Sequence, residues 1–71
     1  MLTEVTRREI ERIFAVTDAL GISREALAIP LRPRPGGGLR RMRDGRIEIV
    51  VDADDLEGFL ARLQEQLARL P

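Results

Sequence analysis

Two spacings of apolar residues divide this chain. Ile47, Ile49 and Val51 recur every second residue, the period of a half-buried strand, and Asp44-Gly45 stands just before them as a hairpin turn signal. The stretch Leu39–Asp52 therefore predicts a β-hairpin with an arginine-studded first arm and an aliphatic second arm. On either side the period lengthens to that of a helix. Leu2, Val5, Ile10, Ile13, Phe14, Val16 and Leu20 share one half of a 3.6-residue wheel, with Arg7, Arg8, Glu11, Arg12 and Asp18 mainly opposite. Leu56, Phe59, Leu60, Leu63, Leu67 and Leu70 form a second stripe, and the last four leucines keep heptad spacing over two heptads.

Local signals set the boundaries. Thr6-Arg7-Arg8-Glu9 is a capping box flanked by Val5 and Ile10 as a hydrophobic staple, with Thr3 as an alternative start one turn earlier. Gly21 suits the C′ position that ends the helix. Ser23 caps a short helix over about residues 24–28, which Pro30 stops. Pro30, Pro33 and Pro35 exclude a central strand, and Gly36-Gly37-Gly38 reads as a flexible break. Asp52 is placed to cap the last helix, with Val51 and Leu56 as its staple and Asp54 and Asp55 at the positive end of the dipole.

The expected fold is a small single α+β domain in the order α-(short α)-β-β-α, an antiparallel hairpin packed on two amphipathic helices. Its parts are a helix over about residues 4–20, a short helix over about 24–28, a Pro/Gly-rich linker at 30–38, the hairpin at 39–52 and a helix over about 53–70. Two hairpin registers are open. A two-residue turn sets Met42 opposite Ile47 and Arg41 opposite Glu48; a three-residue turn sets Leu39 opposite Ile49 and Arg40 opposite Glu48. Two strands alone are marginal, so a third is wanted, from residues 28–32 or from another subunit.

Composition narrows the chemistry. A chain of 71 residues buries only about 60–65% of its unfolded surface and usually needs a supplement. With no Cys and no His, disulfides, thiol chemistry and the commonest metal ligand are removed. Lys and Tyr are also absent, leaving nucleophilic and acid–base chemistry few players. The chain is expected to be no enzyme, with no cofactor and no metal. A second subunit becomes the expected supplement: a homo-oligomer, dimer favoured, meeting through Leu56, Leu60, Leu63, Leu67 and Leu70. No apolar run approaches a membrane span, and the N-terminus lacks the pattern of a signal peptide, so a cytoplasmic location is expected. All twelve basic residues are Arg, and Asn is missing, a bias that a thermophile or a GC-rich genome would each explain.

Net charge is zero but uneven: −1 over residues 1–29, +5 over 30–46 and −4 over 47–71. Arg32, Arg34, Arg40, Arg41, Arg43 and Arg46 make up the basic middle. They either meet an external anion, nucleic acid included, or pair with the acidic C-terminal third. No aromatic lies among them to stack on bases.

Two resemblances and two smaller candidates bear on function. Val16–Leu27, with Gly21 between apolar Leu20 and Ile22, resembles the middle of a helix-turn-helix, but Thr17 stands where a small Ala is usual and Pro30 cuts the second helix short. Gly38-Leu39-Arg40, then Asp44-Gly45-Arg46-Ile47-Glu48-Ile49, then a helix, is similar in layout to the zincin family that cleaves phage repressors and stress regulators. Where that family carries His-Glu-x-x-His, this chain has Gln64-Glu65-Gln66-Leu67-Ala68, which implies a degenerate, metal-free relative. The glycine triplet lacks the Gly-Lys-Ser/Thr ending of a phosphate loop. Asp52, Asp54 and Asp55 read better as helix caps than as a cation site. The leading expectation is a non-enzymatic, self-associating interaction module; the alternative is a nucleic-acid binder working through the arginine hairpin, with the degenerate zincin relative third.

Overall fold

The computed structural model describes residues 2–69; Leu70, the last leucine of the expected stripe and oligomer contact, lies outside the described residues. Helix α1 (Arg7–Ala19) starts where the capping box places it. The Glu9 carboxylate accepts from the Thr6 amide at 2.8 Å and from the Thr6 hydroxyl at 2.6 Å. Those bonds, the hydroxyl's first, hold the Glu9 carboxyl below the usual glutamate range. Ile13 and Thr17 are fully buried along the inner face, and the Thr17 hydroxyl donates to Phe14 O at 3.3 Å. The helix closes with paired bonds from Gly21 N–H to Asp18 O (3.0 Å) and from Ile22 N–H to Thr17 O (2.9 Å).

The expected short helix is a single 3-10 turn, Arg24–Ala26, with Ser23 Oγ accepting from the Glu25 amide at 3.3 Å. Leu27–Ala28 leave it to form β1. A five-residue helix barely repays its own nucleation. Parallel pairing of Leu27 with Ile47 and Ala28 with Glu48 satisfies the same backbone while burying Leu27.

Strand β2 (Gly38–Arg41) and strand β3 (Ile47–Val50) form the hairpin, with Leu39 opposite Ile49 and Arg40 opposite Glu48. This is the register of the longer turn. Met42 N–H donates to Arg46 O at 2.7 Å, Gly45 N–H donates to Met42 O at 3.0 Å, and Gly45 takes φ +90°. Asp44 has no positive φ, so the two-residue mirror-image turn is not used.

The third strand comes from the chain itself. The mixed sheet runs β1-β3-β2, with β3 central. Beyond β1 the chain continues beside β3 as a strap: Arg34 N–H donates to Val51 O and Ala53 N–H to Arg34 O, both at 3.0 Å. Val5 N–H ties the N-terminal segment to Leu31 O of this strap at 2.8 Å. The glycine triplet then carries the chain past the end of β3 to its other side. There the backbone is pressed so close that a Cβ on Gly37 would lie 2.7 Å from Val50 O and 2.9 Å from both Asp52 N and Phe59 Cε1.

Helix α2 (Leu56–Ala68) begins three residues later than expected. Its cap is Asp55, which accepts from Gly58 N–H at 3.0 Å, rather than Asp52. Both helices cover one face of the sheet. Ile47, Ile49 and Val51 point into a core with Ile13, Phe59, Leu60, Leu63 and Leu67, and an ion pair between Arg12 and Glu57 joins the helices at the surface.

Candidate functional site

The other face of the sheet has no helix over it. Alternation turns Glu48 and Val50 of β3 and Arg40 of β2 onto this side, and the strap adds Pro30, Arg32 and Arg34. Together they line an open groove of about 500 Å³. Arg40 Nε donates to Glu48 Oε1 at 2.8 Å across the strands. That bond, then the charges of Arg40 and Arg34, holds the Glu48 carboxyl below its usual range against the opposing effect of burial. Gly38 has no side chain to fill the space beside Arg34, whose Nη2 lies 3.9 Å from where a Cβ would stand. Among the described residues neither Arg32 nor Arg34 is ion-paired, so the groove holds three guanidinium groups against one carboxylate.

The basic run thus divides in two. Arg32, Arg34 and Arg40 come together on the open face, whereas Arg41, Arg43 and Arg46 stand at the hairpin end. At that end Arg46 Nε donates to Asp44 Oδ2 at 2.8 Å, Arg41 Nη1 reaches Gly45 O at 3.4 Å, and Arg43 has no ion pair among the described residues. Among the described residues, pairing of this basic run with the acidic C-terminal third is limited to Arg40 with Glu48.

Sequence reasoning missed the role of Asp52. This side chain is buried, in a residue only 4% exposed. Its Oδ1 accepts from Asp54 N–H (2.8 Å), Asp55 N–H (3.2 Å) and Gly36 N–H (3.2 Å), and its Oδ2 from Arg62 Nη2 (3.0 Å). The backbone bonds, Asp54 first, together with the Arg62 charge, keep its carboxyl below the ordinary aspartate range although burial opposes them. An Asp whose side chain binds amides two and three residues ahead is a common turn device, and Asp52-Ala53-Asp54-Asp55 carried that signal. Asp52 therefore anchors both the strap and the turn that leads into α2.

The remaining candidates are placed as follows. Leu60, Leu63 and Leu67, offered as an oligomer contact, are buried in the chain's own core, and Leu56 is partly buried against it. Among the described residues the exposed large hydrophobic side chain is Leu31, 54% accessible on the strap. The amides of Gly36 and Gly37 are taken up by Asp52 Oδ1 and Arg34 O, so they form no open phosphate cradle. The helix-turn-helix reading loses its second helix to the 3-10 turn and β1. At the zincin-like positions Gln64, Glu65 and Gln66 are exposed, and Glu65 pairs with Arg69. Among the described residues no group of three or more His, Cys, Asp or Glu is placed to hold a metal ion, and no helix is long and apolar enough to cross a membrane. Comparisons of the chain with protein-family models, with curated proteins and with solved structures find no match.

Proposed function

We propose that this chain is a non-enzymatic interaction module that binds an anionic partner through the open face of its sheet. The observation that carries this reading is the convergence of Arg32, Arg34 and Arg40, from two separate segments, on one uncovered groove with a single carboxylate. Guanidinium groups are always charged and present a planar fork of donors that matches carboxylate and phosphate oxygens. The accessible apolar lining of the groove comes from half-buried Pro30, Val50 being only 4% exposed. Self-association through α2 is not part of this reading, because its leucines within the described residues already pack inside one chain.

Fluorescence anisotropy with labelled polyglutamate and with labelled single-stranded DNA, each at low and high salt, tests it. Salt-sensitive binding that Arg32→Glu with Arg34→Glu weakens at least tenfold supports the proposal. Failure of both anions to bind at low salt removes it.

A further inference from the structure

We infer that β2 accepts an acidic extended segment of a partner protein as a fourth strand of the sheet, an inference that rests on the anion-binding reading above and names the class of partner. The two edges of the sheet differ. Beyond β1 one edge continues into a strap holding Pro30, Pro33 and Pro35, which have no N–H to donate to an incoming strand. The β2 edge has no proline and, among the described residues, pairs only with β3. Its register sets which amides are free. Met42 pairs with Arg46 through its amide, and with antiparallel alternation Arg40 and Gly38 also face β3. Leu39 and Arg41 therefore turn their N–H and C=O groups outward, and neither makes a backbone hydrogen bond outside the sheet among the described residues.

Room exists beside this edge for the side chains of another strand. A cleft of about 300 Å³ lies between β2 and α2, lined by Gly38, Leu39, Phe59, Arg62 and Gln66 among others. Alternate side chains of an added strand enter this cleft against half-buried Leu39; the others lie on the open face next to Arg40. The charge around the edge selects the occupant. Arg40 and Arg41 sit on β2 and Arg43 in its turn, and Arg41 and Arg43 have no carboxylate partner among the described residues. A second copy of β2 is disfavoured, because it would gather four guanidinium groups on one seam. A nucleic acid offers no alternating N–H and C=O groups to match the edge. Neither Phe is free to stack on a base: Phe59 is buried, and Phe14 lies under the Arg24 guanidinium, 4.5 Å from its ring centre.

The probe is a ten-residue peptide alternating Glu and Val, titrated into the intact chain. Binding is expected to slow hydrogen exchange at the Leu39 and Arg41 amides at least tenfold. A peptide N-methylated on one set of alternate residues is expected to lose at least tenfold in affinity, while methylation of the other set is tolerated. Arg41→Glu with Arg43→Glu is expected to weaken the unmodified peptide at least tenfold. Equal binding by both methylated peptides, with no slowing at Leu39 and Arg41, overturns strand addition and leaves the anion-binding groove standing. Tighter binding of a ten-nucleotide thymidine strand than of the peptide overturns the partner class. No binding by any anion overturns both proposals.

Discussion

On the helix side, Ile47 and Ile49 of β3 and Val51 just after it are 7%, 0% and 0% exposed and disappear among leucines. On the other side Glu48 pairs with Arg40 of β2 and lies near the guanidinium groups of the strap, and Val50, itself only 4% exposed, is the one apolar side chain that β3 contributes to the groove. One strand of four residues thus carries two kinds of surface, one closed by nonpolar contact and one bordered by charge. The difference teaches where each property resides: stability should answer to the first face and recognition to the second.

The largest effect is expected from Ile49→Ala. Removing a fully buried side chain from the central strand should lower unfolding free energy by about 2–5 kcal/mol, read from urea denaturation. For so small a chain that is a large share of the total. Next comes Gly37→Ala, which forces a Cβ against Val50 O and Asp52 N at φ +62° and should lose about 1–3 kcal/mol. Gly36→Ala, at φ +80° with open space around it, should lose less, which separates crowding from backbone strain. Asp52→Asn sharpens the comparison by its pH dependence. The folded carboxyl is depressed, so its contribution is complete above the ordinary aspartate pKa of about 3.9 and is lost as pH falls below it. The variant should show a shallower loss of stability between neutral and acid pH than the parent, in denaturation series at several pH values. The smallest effect on stability belongs to Arg34→Ala, which should leave unfolding free energy within about 0.5 kcal/mol while weakening anion binding. Destabilisation by Arg34→Ala as large as that by Ile49→Ala would break the division between the faces.

Features whose causes lie within a few residues were legible in the sequence. Thr6 and Glu9 cap α1 three residues apart, and Gly21 closes it with amides of its own neighbourhood. The hairpin was legible in place but not in register, because Asp44-Gly45 suits turns of two or three residues and only the settled sheet distinguishes them. Leu27 and Ala28 followed a helix-capping serine, and what draws them into a strand is Ile47, twenty residues on. Three aspartates near one helix start all resemble caps; Asp55 takes that role because Asp52 is drawn to Gly36 and Arg62. The arginine run was visible as charge, but its division between groove and hairpin end depends on the path of the strap around β3.

That path has a thermodynamic consequence. The strap is pinned at Leu31 by Val5, at Arg34 by Val51 and Ala53, and at Gly36 by Asp52, so the backbone under Arg32 and Arg34 is held before any ligand arrives. Much of the ordering that a loose arginine-rich loop would undergo on docking is already complete in the folded chain, and affinity should suffer correspondingly little entropic loss.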